Sequence, residues 1–168
     1  RINSITDKKI IAQSNNSLPD LIIKNSDIEF NNVSFKYEST NEKALKDINL
    51  NIKGNSIAAF VGHSGAGKST IINLLPRFYD PQNGFIKIDS QDISKIKLSS
   101  LRKNISLVSQ DVILFDDTIT NNIKFARENA SIEEIKKACK FAAAEEFIEK
   151  LPNNYNTMIG ENGVRLSG

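Results

Sequence analysis

Residues 62–69 read Gly-His-Ser-Gly-Ala-Gly-Lys-Ser, and no other stretch constrains this chain as tightly, because they match G-x-x-x-x-G-K-[ST]. The octapeptide follows a short apolar run, Ser56-Ile57-Ala58-Ala59-Phe60-Val61, and precedes a helical pattern from Ser69 to Leu75 that stops near Pro76. A continuous apolar run bounded by glycines predicts a strand buried on both faces of a sheet. A loop between such a strand and a helix is the setting this motif needs. Gly62, Gly65 and Gly67 let the backbone approach a phosphate closely. The N–H groups along His63, Ser64 and Ala66 then form a nest for anionic oxygens, reinforced by the positive end of the helix that follows. Lys68 supplies a point charge to the β and γ phosphates, the Ser69 hydroxyl is placed for Mg²⁺, and Thr70 is placed to donate to the α phosphate. By chance the bare pattern arises in roughly one chain in 200 of this length. The motif therefore predicts a bound nucleoside triphosphate. By itself it names no family.

Composition narrows the setting. The chain has 168 residues, 22 basic and 20 acidic, for a net charge of +2. That balance argues against a dedicated nucleic-acid binder. No apolar run approaches the 18 residues or so that a membrane-spanning helix needs. Cys139 is the only cysteine, so no internal disulfide is possible, and its place on the inner face of a helix predicts a small core residue. His63, the only histidine, has no triad partner or metal-ligand companions and reads as a solvated position of the loop. Length and composition predict one intracellular, soluble domain.

Along the chain, residues 1–27 differ from the rest and read as a linker, with a polar, Pro-punctuated stretch from Ser14 to Asp20. From Ile28 the residues Ile28, Phe30, Val33, Phe35 and Tyr37 nearly alternate, and Asn31-Asn32 suits a bulge. Ala44–Ile52, Phe85–Ile88 and Ile105–Val108 are further strand candidates, and Leu98–Arg102 is one or two helical turns. Ser131 with Glu134 forms a capping box, and Ile132, Ile135, Cys139 and Ala142 share one face of the helix it opens. A second helical stretch runs from about Ala144 to Leu151 and ends at Pro152. Strands alternating with helices predict an α/β domain with an antiparallel β portion at the front.

Four further segments, in order, resemble the ATP-binding domain of ABC transporters of the exporter type. Ile28–Tyr37 resembles the strand that ends in the family's adenine-stacking aromatic, at Tyr37. An aromatic face holds a purine without reading much detail. Ile105–Asp111 resembles the Q-loop, whose glutamine is Gln110. The resemblance implies that Gln110 reaches Mg²⁺ or the attacking water and engages on closure. Leu114–Ile123, Leu-Phe-Asp-Asp-Thr-Ile-Thr-Asn-Asn-Ile, resembles the exporter segment that lines the groove for coupling helices, which implies partly exposed Phe115 and Ile119. Ile159–Gly168 resembles the x-loop running into the signature motif L-S-G-G-Q. There Ser167 and Gly168 would contact the γ phosphate held by a second copy. Arg1, Ile2, Ile5 and Asp7 are similar to the tail of a helix leading from a membrane domain. Ser90, Asp117 and Pro76 depart from the family pattern at local turns and touch no phosphate chemistry.

The resemblance implies a P-loop NTPase core with an antiparallel β subdomain and the start of a helical subdomain, over residues 28–168. It implies ATP and Mg²⁺ as ligands, with Lys68 and Gln110 in catalytic roles and Ser69 and Gln110 on the metal. The implied partners are a second nucleotide-binding domain and the coupling helices of transmembrane domains, with no nucleic acid and the membrane reached only through those domains. The place implied is the cytoplasmic face of the bacterial inner membrane. The family's Walker B strand, catalytic glutamate, D-loop and switch histidine would follow Gly168, and Asp116, Asp117 and Glu161 do not replace them. Without those groups phosphoryl transfer loses orders of magnitude in rate, so the 168 residues alone are expected to be inactive. The readings set against the exporter are a soluble ABC-type ATPase of nucleic-acid maintenance or translation, and a regulatory nucleotide-binding module.

Overall fold

The computed structural model describes residues 17–110 and 113–160. The chain divides into two compact units, Arg1–Leu107 and Val108–Gly168.

The first unit is built on a four-stranded antiparallel sheet. Its strands are β1 (Ile28–Phe35), β2 (Leu45–Ile52), β3 (Asn83–Ile88) and β4 (Gln91–Asp92), in the order β2-β1-β3-β4. β1 is central because it has an apolar partner on both sides: Phe30 lies opposite Leu50 on β2 and Ile86 on β3. The expected bulge falls at Asn31-Asn32, where both ladders shift register and Asn32 takes φ 47°. Asn49 fills the gap, its Oδ1 accepting from the Asn32 N–H at 2.9 Å while its Nδ2 donates to the Asn32 side chain at 3.0 Å. After the bulge Val33, Ser34 and Phe35 are all buried. Buried Ser34 is satisfied by Asp47, donating to its carboxylate and accepting from its N–H, both at 2.9 Å.

Helix α1 (Lys68–Leu74) joins this core through Ile71 and Leu74, and helix α2 (Leu98–Lys103) through Leu98 and Leu101. Both match the sequence expectation closely. The stretch before β1 is fastened to the same unit. Leu21 is buried in its core, Pro19 O accepts from Lys97 N, and Leu21 N donates to Ser100 Oγ. The Asp89 carboxylate accepts four backbone N–H bonds, from Lys24, Asn25, Ser26 and Asp27, at 2.6–3.1 Å. Those donors, Lys24 first, hold its carboxyl below the usual range against a smaller opposing effect of burial. Residues 1–16 of the expected linker lie outside the described residues.

Two expectations are corrected. Neither the 56–61 run nor 105–108 is a strand, and Ile57, Val61 and Val108 are almost wholly exposed. A strand exists only against a neighbour that takes up its N–H and C=O groups. Among the described residues none pairs with these runs, so the apolar pattern alone does not produce a strand.

The second unit is helical: α3 (Ile119–Lys124), α4 (Ile132–Phe141) and α5 (Glu145–Glu149). The capping box forms as expected, with Glu134 N donating to Ser131 Oγ at 3.3 Å and Ser131 N to the Glu134 carboxylate at 2.9 Å. Asp117, a departure from the family pattern, accepts from Thr118 N and Asn121 Nδ2 at the start of α3. These two bonds hold its carboxyl below the usual range. The core is Ile119, Ile135, Cys139, Ile148, Tyr155 and Ile159. Cys139 is buried as expected, and burial pushes its thiol pKa up. The helix face is narrower than its sequence suggests, because Ile132 and Ala142 are exposed at its edges. Ile119 is likewise corrected: it is 5% exposed, core rather than surface, whereas Phe115 is 47% exposed and packs on exposed Phe125 at 4.8 Å. An apolar cleft of about 330 Å³ opens between Leu114, Ile123, Cys139, Phe147 and Ile148. Among the described residues no helix is long and apolar enough to cross a membrane.

Candidate nucleotide-binding site

The glycine loop leaves the 56–61 run and ends on α1. Gly67 is the helix N-cap, at φ 84° and ψ 6°, and its C=O accepts the first helical bond from Ile71 N at 3.0 Å. Only glycine suits this position. A Cβ there would sit 2.6 Å from the Ala44 carbonyl oxygen and 2.7 Å from Leu45 Cδ2. The loop is thus seated directly on the start of β2. Gly65 also has a positive φ, of 80°, but faces open space. Ala66 N bonds back to His63 O at 3.2 Å and closes the turn.

No side chain caps α1 and no acidic residue occupies its first turn, so its first N–H groups are left for an external acceptor. Lys68 Nζ donates to Gly62 O at 2.7 Å and His63 O at 2.6 Å. An ammonium has three donors. Two are spent on the loop's own carbonyls, which hold the charge against the loop rather than out in solvent. His63 and Ser64 are exposed, as is Ser69 on the first helical turn. Among the described residues no cluster of three His, Cys, Asp or Glu forms a metal cage. A lone hydroxyl suits Mg²⁺, which keeps several waters and leans on substrate phosphates. Bare amides, a lysine on the loop and an exposed Ser69 fit a triphosphate with its cation.

The structure also brings Tyr37 to this loop. Its hydroxyl lies 3.0 Å from Thr70 Oγ1 across 33 residues of sequence, and Thr70 is only 5% exposed. The Tyr37 ring meets Phe35 at 4.8 Å and Tyr79 at 5.2 Å, both nearly perpendicular. A cavity of about 260 Å³ opens beside it, lined by Lys36, Glu38, Tyr79 and Gln82 among others. Gln82 pins the neighbouring backbone, accepting from Lys36 N at 2.7 Å and donating to Lys36 O at 2.9 Å. Sequence reasoning missed Tyr79 and Gln82, whose only signal was the aromatic and amide flanking Asp80-Pro81. Tyr37, the loop and Thr70 are therefore assembled in the first unit. Gln110 is exposed and belongs to the second. Ser167 and Gly168 lie outside the described residues.

Comparison with known proteins agrees with this geometry. The ABC transporter family matches residues 45–168, from β2 to the last residue of the sequence. This chain belongs to the ABC transporter family. An ATP-dependent lipid A-core flippase of Photorhabdus laumondii is 55% identical over 145 residues, 86% of this chain and 25% of that protein. A Staphylococcus aureus protein named as a multidrug export ATP-binding/permease protein is 50% identical over 146 residues, 87% of this chain and 25% of its own length. Among solved structures, a bacterial Atm1-family ABC exporter with ATP bound superposes with a TM-score of 0.90 at 41% identity. That match covers 99% of this chain and 29% of the exporter. The chain thus spans about a quarter of the length of the curated relatives it matches. The mixed helix and strand architecture, with its antiparallel sheet, is that of an ABC ATPase domain.

Proposed function

We propose that this chain is the ATP-binding part of an ABC exporter, in which nucleotide binding and hydrolysis drive a substrate of lipid or drug-like chemistry across a membrane. The observation that carries this reading is the glycine loop: left-handed Gly65 and Gly67, an uncapped helix start and a lysine ammonium held on the loop. Lys68 exchanges its two carbonyl acceptors for β and γ phosphate oxygens, and the loop amides take the remaining anionic charge. Tyr37 presents its ring to adenine, and Thr70 donates toward the α phosphate. When bound, Mg²⁺ would neutralise charge on the triphosphate, and Ser69 and Gln110 are the residues that would hold it. Gln110 also orients the attacking water once the site closes. Ser167 and Gly168 serve the γ phosphate of a second copy, so the working unit is a dimer. Residues 1–27 lead in from the membrane domain, and residues 28–168 form the ATP-binding domain up to the start of its signature motif. Hydrolysis is assigned to the protein as a whole.

The same reading gives the second unit a task. The apolar cleft beside Phe147, with exposed Phe115 and Phe125 nearby, suits a short apolar helix from a transmembrane domain. The protein would then work at the cytoplasmic face of the bacterial inner membrane. Equilibrium binding of ATP to the full-length protein tests the core of the proposal. Lys68→Ala should abolish it, and nucleotide affinity that survives the substitution would refute the phosphate-cradle role.

A further inference from the structure

We infer that Thr70 is a positioning residue for Tyr37, so that the grip on the base and the occupancy of the phosphate loop form one hydrogen-bonded unit. The inference rests on the proposed role of Tyr37 as the base platform. It starts from the 3.0 Å contact between Tyr37 Oη and Thr70 Oγ1, which joins the second residue after β1 to the first turn of α1, two residues beyond Lys68. Thr70 is buried, and among the described residues its hydroxyl has no other hydrogen bond. Among the described residues the platform is otherwise held by ring contacts with Phe35 and Tyr79, by Thr40, whose N–H and hydroxyl donate to the Tyr37 carbonyl, and by Gln82 on the neighbouring backbone. Ring contacts fix a plane loosely; the hydroxyl bond fixes where the far end of the ring points.

A threonine hydroxyl has one proton and two lone pairs. It can accept the Tyr37 O–H and donate its own proton to a phosphate oxygen at the same time. Without phosphate, either hydroxyl can be the donor and two arrangements compete. Phosphate in the loop commits the Thr70 proton, leaves Tyr37 as the donor, and orders the ring through a chain in which each bond polarises the next. Base affinity then depends on the phosphates being present, through a residue that need not touch the base.

The test uses the full-length protein and measures affinity for ATP and for inorganic tripolyphosphate, which has no base. The variants are Tyr37→Phe, Thr70→Val, their double mutant, Thr70→Ser and Tyr37→Ala. Each hydroxyl removal should lower the ratio of ATP to tripolyphosphate affinity about five-fold, the equivalent of one ordinary hydrogen bond. The double mutant should lose no more than either single one, and Thr70→Ser should stay within about two-fold of the parent because it keeps the hydroxyl. Multiplying losses in the double mutant, or an unchanged ratio in Tyr37→Phe, would overturn the role of Thr70 while leaving the platform standing if Tyr37→Ala still weakens ATP. An unchanged ATP affinity in Tyr37→Ala would overturn the platform and this inference with it.

Discussion

Alanine at two glycines of one loop should have very different consequences, and the difference can be worked from the structure. Gly65 and Gly67 share a left-handed backbone, at φ 80° and 84°. A Cβ in that region costs about 1.5 kcal/mol. Alanine also restricts the opened chain, which returns about 0.5 kcal/mol, so the net conformational penalty is about 1 kcal/mol at either site. At Gly65 nothing lies within 4 Å of the new methyl group, and the account ends there. At Gly67 the methyl group would lie 2.6 Å from the Ala44 carbonyl oxygen, which is backbone and cannot rotate away. Leu45 Cδ2, at 2.7 Å, can. Forcing β2 and the loop apart adds roughly 2 kcal/mol of overpacking. Amide hydrogen exchange at Ile71, whose N–H bonds to Gly67 O, reads the local opening directly. Gly67→Ala should exchange there about 30-fold faster than Gly65→Ala, which is 2 kcal/mol at one decade per 1.4. Equal rates in the two variants, or a faster one in Gly65→Ala, would refute the idea that the loop is seated on β2.

Acid stability should depend on Asp89. Its folded pKa is lowered, chiefly by the Lys24 N–H, so its contribution is fully present above the ordinary unfolded value near 4 and disappears as pH falls through the lowered one. Thermal midpoints of the parent and Asp89→Asn should therefore differ most above the ordinary value and draw together as pH falls through the lowered one; a gap that stays constant as pH falls would contradict the assignment. In the helical unit Ile135 is 1% exposed, and Ile135→Ala should destabilise it by about 3 kcal/mol, read from exchange of the α4 amides. A loss below about 1 kcal/mol would mean that the apolar cleft collapses onto the site.

Much of the local structure was legible before any coordinates. The helix after the glycine loop, the capping box at Ser131, the bulge at Asn31-Asn32 and the burial of Cys139 all depend on residues close in sequence or on a period that a window reveals. The family also was legible, because its phosphate loop and exporter segments are contiguous strings. The misjudged residues were those whose surroundings come from far along the chain. Ile119 is buried because Thr157 O and Ile159 N clamp its neighbourhood, which no pattern near residue 119 announces. The turn at Asp89-Ser90 looked like a minor departure, yet Asp89 holds four amides from residues 24–27.

The sequence by itself determined that a glycine loop of the phosphate-binding pattern exists, which residues compose that pattern and which family they resemble, since each rests on residue types at fixed spacing. Tertiary structure decided that Gly67 is locked to Ala44, that Tyr37 is tied to Thr70, and that among the described residues no strand pairs with the apolar run 56–61. The physical reason is the same in all three. A glycine's clearance, a hydroxyl's partner and a strand's existence are properties of a neighbour, and that neighbour is chosen by folding and not by adjacency in the chain.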